Sequence, residues 1–171
     1  VQDTESELEF VSDTFEELTG RPLKSIREDF CGTGNTACAW VASGRDRTAV
    51  GVDLDEPTLE WGRKHHVEAL KKHARERVRL IRGDVLDTST EPVDAVLAMN
   101  FSYYLFTTRE RLRDYFRAAL AALKPDGVLF LDAFGGYEAH QELEERTEYD
   151  DFTYVWDQSE FNPINQHMTC R

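Results

Sequence analysis

What most limits the fold of this chain is its rhythm: short apolar, β-branched runs alternate regularly with amphipathic stretches. Alternation of this kind is the pattern of a parallel sheet, because parallel neighbours need a crossover between them, usually a helix. Strands are expected at about Leu23 to Arg27, Thr48 to Asp53, Val78 to Ile81, Val93 to Met99 and Val128 to Phe134. The run from Val93 to Met99, bounded by Pro92 and Asn100, reads as a central strand covered on both faces.

The intervening segments carry helical signals. Leu8, Val11, Phe15 and Leu18 fall at helical spacing in an acidic stretch closed by Gly20, and Asn35 to Ser43 stops at Gly44. Pro57 fits the first turn of a helix reaching about Ala74. Thr107 with Glu110 suggests a capping box ahead of the stripe Leu112, Tyr115, Phe116, Ala119, Leu120 and Leu123, and Lys124-Pro125-Asp126-Gly127 breaks that helix. A charged helix is expected from Tyr137 to Arg146. An antiparallel hairpin then follows over 150–171, with Phe152 to Trp156 alternating faces and Asn162-Pro163 at a turn.

The expected architecture is therefore α/β: a Rossmann-like, doubly wound, mainly parallel sheet with helices on both faces, plus the C-terminal hairpin. At 171 residues the chain fits one domain spanning 1–171, with 1–20 as an N-terminal helix.

Composition narrows the partners. Thirty-three acidic against 20 basic residues give a net charge of -13, which repels phosphate backbones and anionic membranes. Arg75, Arg77, Arg79 and Arg82 are the nearest approach to a basic cluster. The partner is expected to be a small molecule or a protein rather than nucleic acid. Three cysteines without C-x-x-C spacing indicate neither a disulfide framework nor a zinc site, and a reducing cytoplasm is the expected location. No apolar run approaches the ~18 residues of a membrane span. Nothing in the pattern specifies an oligomeric state.

Three features fall at the C-terminal ends of successive strands, where open α/β sheets bind ligands. Gly32-Thr33-Gly34 joins strand to helix, and its missing side chains let backbone approach a ligand. Asp53 ends the second strand nineteen residues after Gly34, near the spacing at which a carboxylate meets ribose hydroxyls. Asp84 follows the third strand, where it can accept from an exocyclic amine.

Together these segments, from about Leu23 to Gly136, resemble the class I S-adenosylmethionine (SAM) dependent methyltransferases, whose first motif runs acidic-x-Gly-x-Gly-x-Gly. The resemblance implies that SAM is the cofactor. It places Glu28, Gly32 and Gly34 along the methionine half, Asp53 at the ribose, Asp84 and Val85 at the adenine, and Asn100 near the reacting methyl. The acidic position is shared between Glu28 and Asp29, with the spacing to Gly32 favouring Glu28. Phe30 stands where the family usually has its first glycine, which puts the cofactor's pose at that point in question. The family normally adds two further strands after a segment like the one ending here, so the chain is expected to be C-terminally incomplete.

The stretch from Asn100 to Phe106 should border the methyl acceptor, with Asn100, Tyr103 and Tyr104 as candidates for orienting it. His65, His66 and His73 lack the carboxylate that would complete a metal set and read as surface or packing residues. Methyl transfer asks the protein mainly to align the reactants and exclude water, so a strong general base is optional: an amine or phenol acceptor calls for one, a thiolate does not, and the sequence names no clear candidate. Two other readings stay open. One is a nicotinamide-dependent oxidoreductase, since Gly32 to Ala37 also satisfies G-x-G-x-x-A. The other is a non-catalytic domain that keeps the fold to bind a partner.

Overall fold

Five parallel strands form the larger sheet: β1 (Ser25–Asp29), β2 (Thr48–Asp53), β3 (Val78–Arg82), β4 (Val93–Ala98) and β5 (Leu123–Leu131). They are seen in a computed structural model that describes residues 3–171, divided into one unit ending at Asp132 and a second, Ala133–Arg171. The strand order is β3-β2-β1-β4-β5. The order reverses between β1 and β4, which is the switch point where such sheets open a crevice for ligands. This is the Rossmann-like arrangement the alternation predicts. Every residue of β4 is buried, as a central strand requires.

Two strand boundaries differ from expectation. β1 lies two residues later than Leu23 to Arg27, which carries Glu28 and Asp29 into the strand and so onto opposite faces. β5 starts at Leu123 and absorbs the Lys124-Pro125-Asp126-Gly127 run. A register shift between Val93 and Ala95 accommodates it, and Pro125 is tolerated because β5 is an edge strand of this sheet.

On one side of the sheet, α1 (Thr4–Thr19) and α2 (Asn35–Ala42) build a core of Leu8, Val11, Phe15, Trp40 and Val41 against Ile26, Leu97 and Phe130. Asp3 caps α1 by accepting from the Ser6 N–H at 3.3 Å, and Gly20 closes it at φ 71°, while Leu18 stays exposed. On the other side α5 (Arg109–Ala122) buries Tyr115, Ala119 and Ala122 with Val96 and Phe106. Of its predicted stripe, Leu112, Tyr115, Ala119 and Leu123 pack inward, while Phe116 and Leu120 face solvent. Its N-cap is Thr108, which accepts from the Arg111 N–H at 3.3 Å, so the Thr107–Glu110 box does not form.

The single helix expected from Pro57 to Ala74 is broken. α3 (Glu56–Gly62) runs into a π-helical turn, Arg63–Val67, and α4 (Lys72–Arg75) is separate. Close approach explains where the break falls, because a Cβ at Gly62 would overlap the Thr33 carbonyl. Arg63 then bonds Glu56 at 2.8 Å and the Leu80 carbonyl at 3.2 Å. Arg77 and Arg79 line a cavity of about 210 Å³ that Glu76 and Glu91 share, but Arg75 and Arg77 are spent on the chain's own backbone. They donate to backbone carbonyls, Arg75 to Leu70 at 2.7 Å and Arg77 to Val41 at 2.8 Å and Gly44 at 2.7 Å.

The second unit is an antiparallel sheet in the order β6-β7-β8: β6 (Leu143–Glu148), β7 (Thr153–Asn162) and β8 (His167–Cys170). The hairpin expected over 150–171 is β7 with β8. The charged helix expected from Tyr137 to Arg146 is instead a short 3-10 turn, Glu138–His140, followed by β6. Cross-strand pairing decides this: Glu145 faces Trp156 and Thr147 faces Tyr154, so β6 gains the aromatic side of β7. Gln158, buried, fixes the turn by donating to the Glu138 carbonyl at 2.9 Å and the Gln141 carbonyl at 2.7 Å.

Candidate functional site

The chain leaves β1 through a run of left-handed residues: Phe30 at φ 59°, Gly32 at φ 54° and Gly34 at φ 67°, the last opening α2. A side chain at Gly34 would press into Leu80, so this turn is held to glycine by space as well as by conformation. Phe30 adopts a positive φ, at a cost of roughly 1–2 kcal/mol for an L-residue. Its ring is compensated by packing against Tyr115 and Phe106, with centroids at 5.7 and 6.1 Å.

Glu28 and Asp29, adjacent in sequence, serve different surroundings. Asp29 is buried against Arg27 at 2.7 Å and accepts from the Tyr115 hydroxyl at 3.2 Å. Burial raises its pKa, and the Arg27 guanidinium works against that rise. Glu28 points to the glycine-turn side and accepts the Ala37 N–H, in the first turn of α2, at 3.0 Å. Enclosure by protein pushes its pKa up to about 8. The Ala37 N–H opposes the shift, and the nearby Glu7 and Asp53 carboxylates add to it.

Asp53 spans two backbone donors, Gly32 N–H at 2.7 Å and Asp55 N–H at 2.9 Å, and so ties the end of β2 to the glycine turn. Asp55 occupies the N-cap position of α3, but its carboxylate takes the Thr58 hydroxyl rather than a helix N–H. Asp84 accepts the Leu86 N–H at 2.9 Å, and Val85 beside it is buried. Glu28, Asp53 and Asp84 thus sit at the ends of adjacent strands, each on backbone N–H groups. Among the described residues none of the three forms an ion pair with a cationic side chain.

At the end of β4, Asn100 and Phe101 adopt consecutive left-handed conformations, φ 57° and 43°. The Asp132 carboxylate, just after β5, receives both their N–H groups at 2.8 and 2.6 Å. A 3-10 turn, Ser102–Leu105, follows. Tyr103 is partly buried, and burial raises its phenol pKa, with Tyr104 and Asp132 adding to the rise. Tyr104 is exposed and meets Tyr103 edge-on at 5.0 Å. Phe106 packs into α5 through Tyr115.

Sequence reasoning passes over several residues here. Asp132 carries the same signal as Asp53, an acid directly after an apolar strand, and was findable on that ground. Leu54, next to Asp53, leaves 66% of its surface exposed, an apolar face at the rim of the site. Gly62 and Arg27 carry no local signal, because what they touch lies far along the chain.

A cavity of about 830 Å³ opens between α1 and α2, lined by Glu5, Glu9, Asn35 and Arg47, and contains none of the three strand-end carboxylates. His65 stacks on Trp61 at 4.1 Å. Among the described residues no group of His, Cys, Asp and Glu is placed to hold a metal ion, and no helix is long and apolar enough to cross a membrane. Cys31 and Cys38 are buried free thiols whose pKa values burial pushes up.

A family profile described as a methyltransferase domain matches residues 29–127. No curated protein sequence matches the chain. Among solved structures it is similar to an S-adenosylmethionine-dependent methyltransferase from Clostridium acetobutylicum, with 20% identity and TM-score 0.73 over 94% of this chain and 64% of that one. DesVI from Streptomyces venezuelae aligns with 21% identity and TM-score 0.73, covering 94% of this chain and 65% of that chain. The SAM-bound amino pentose methyltransferase CalS10 from Micromonospora echinaspora gives 20% identity and TM-score 0.72, covering 94% and 66%. The chain thus spans about two thirds or less of the length of each, and the likeness is one of fold.

Proposed function

Since the chain belongs to the methyltransferase-domain family, we propose that it binds S-adenosylmethionine and transfers its methyl group to a small-molecule acceptor. The observation that carries this reading is the Glu28 carboxylate on the first-turn N–H of α2, beside Asp53 and with no cationic partner among the described residues. The donor set suits a ligand that brings positive charge and hydroxyls and no phosphate. When bound, SAM supplies a methyl group on a cationic sulfur, open to in-line displacement by a nucleophile.

Glu28 faces the cationic methionine end across the turn at Gly32 and Gly34. Asp53 accepts from ribose hydroxyls, and Asp84 accepts from the adenine amine, with Val85 and Leu54 as apolar neighbours. Asn100, Tyr103 and Tyr104 form the acceptor side, where Asp132 holds the backbone of Asn100 and Phe101 in place. The acceptor stands as a small molecule before a protein, and either before nucleic acid, given the net charge of -13. One relative in fold is named for methylating an amino pentose, which fits that order.

A nicotinamide dinucleotide fits the same turn poorly. Its pyrophosphate would need helix N–H groups that Glu28 already engages, and its negative charge gives the buried Glu28 carboxyl nothing to favour ionisation. A thermal scan with SAM, its demethylated product S-adenosylhomocysteine (SAH), NAD and NADP separates the two. Ligand at one hundred times its dissociation constant adds about 2.7 kcal/mol, or roughly 5–11 °C for a domain of this size. SAM and SAH are expected to give that shift and the dinucleotides none. Stabilisation by NAD or NADP alone would overturn the reading. Binding without transfer of labelled methyl to a panel of amino sugars and other small amines would favour a non-catalytic domain.

A further inference from the structure

We propose that Arg27 is a positioning residue for the adenine side of the site, acting through the turn that carries Asp84 and Val85. The inference rests on the cofactor reading above. Arg27 is only 1% exposed, so each of its N–H groups needs a partner within the protein. Charge balance accounts for one contact, Nε to Asp29 at 2.7 Å. The remaining contacts cross to a distant segment. One terminal nitrogen donates to the Val85 carbonyl at 3.1 Å and the other to the Thr88 carbonyl at 2.8 Å.

Those two carbonyls belong to the turn after β3. The Asp84 carbonyl accepts the Asp87 and Thr88 N–H groups at 3.1 and 2.8 Å and the Thr88 hydroxyl at 2.7 Å, while the Asp84 carboxylate takes the Leu86 N–H. Gly83 permits this tight coil, since a Cβ there would overlap the Thr88 hydroxyl. A single turn of this length does not hold itself in water, and its outward carbonyls have no helical partners. Arg27 supplies them from beneath. Asp29 fixes the guanidinium, and the Tyr115 hydroxyl from α5 fixes Asp29. The position of Asp84 is thereby referred to the centre of the sheet. A well-packed apolar pair would serve stability as well as the buried ion pair does, so what Arg27 adds is placement of the turn.

The test has two arms. In the unaltered, ligand-free protein, amide hydrogen exchange at Asp87 and Thr88 is expected to be as slow as within β1. Exchange at the rate of an open loop would overturn the proposal whatever the ligand. In the second arm, the triple variant Arg27→Met, Asp29→Leu, Tyr115→Phe removes the charges together and leaves no buried charge stranded, so that the lost donors to the Val85 and Thr88 carbonyls are the change being tested. Arg27→Lys keeps the charge partner of Asp29 but cannot reach both carbonyls, and serves if the triple variant does not fold.

Calorimetry compares SAH with its inosine counterpart, in which the adenine amine is replaced. Either folded variant should bind SAH about tenfold more weakly and lose most of the preference for adenine over hypoxanthine, the loss of well-placed hydrogen bonds. A folded variant with unchanged affinity and preference would refute the role of Arg27 alone. Failure of the unaltered protein to bind SAH would instead refute the cofactor reading, and faster exchange at Asp87 and Thr88 in the folded variants than in the unaltered protein would still decide whether Arg27 holds the turn.

Discussion

The two edges of the parallel sheet hold carboxylates in opposite ways. At the N-terminal edge Asp94 is buried and saturated: Arg21 at 2.7 Å, Lys124 at 2.9 Å, and the N–H and hydroxyl of Ser25, both at 2.8 Å. Burial would raise its pKa, but these donors outweigh burial and hold it well below the usual range. At the C-terminal edge Glu28, Asp53 and Asp84 rest on backbone N–H groups, with the Thr36 hydroxyl and the Glu7 and Asp53 charges also near Glu28, and among the described residues none of the three has a cationic partner. A carboxylate with its own cations is finished as structure. One without them retains affinity for a cation brought from outside, and this sheet keeps the two kinds apart.

The difference can be broken most forcefully at Asp94. Asp94→Ala leaves Arg21 paired with Asp126 and frees the partly exposed Lys124 to return to water, so the loss should fall at the lower end for a broken buried pair, about 3 kcal/mol. Thermal denaturation should drop by roughly 6–12 °C. SAH affinity measured below the transition should stay unchanged. An equal loss of affinity would mean that the two edges are not independent.

Asp53→Ala is the converse. It removes acceptors for Gly32 and Asp55, groups near the surface, and should cost about 1 kcal/mol of stability. Its effect on SAH binding should be larger, about 2 kcal/mol or some thirtyfold, because the ribose hydroxyls lose their acceptor. Calorimetry with undiminished affinity would remove Asp53 from the site. Asp55→Ala is the control: its carboxylate caps no helix N–H and should matter little to either measurement.

The legible part of this molecule was the part written in local pattern. Strand alternation, the Gly32-Thr33-Gly34 turn and acids following apolar runs put Glu28, Asp53 and Asp84 at the ends of successive strands, where the fold has them. What escaped was set by contacts far along the chain. β6 looks helical because Glu144, Glu145 and Arg146 suit an exposed helix as well as an exposed strand, and only the partner β7 distinguishes them. The helix from Pro57 breaks because Gly62 lies on Thr33. Arg27, a charge inside a strand, reads as a strand end until its partners across fifty-eight and sixty-one residues are known. Phe30 looks like a lost glycine. It holds a glycine-like positive φ against rings from Phe106 and Tyr115 that no motif records.

The finest test of the comparison is the proton on Glu28. Its native pKa of about 8 lies above the unfolded value near 4.5, so the native state binds more protons between the two. Through this group alone the ligand-free protein is most stable below the unfolded value and loses that contribution as pH rises through about 8. A ligand bringing an ammonium and a sulfonium reverses the preference, because it favours the ionised carboxylate. SAM binding near neutral pH should therefore release close to one proton from the protein, visible as a dependence of binding heat on the ionisation enthalpy of the buffer. Between pH 6 and 7, where the ligand's α-ammonium stays protonated, affinity should rise nearly tenfold, about 1.3 kcal/mol. The slope should flatten towards pH 8 as Glu28 ionises unaided. Glu28→Gln should bind more weakly and with no proton release, while equalling or exceeding the parent in stability at pH 8, where the parent buries a charge. A parent protein that binds SAM with the same affinity at pH 6 and pH 7 would place the ligand's cationic end away from Glu28, and the contrast between the sheet's two edges would lose its functional meaning.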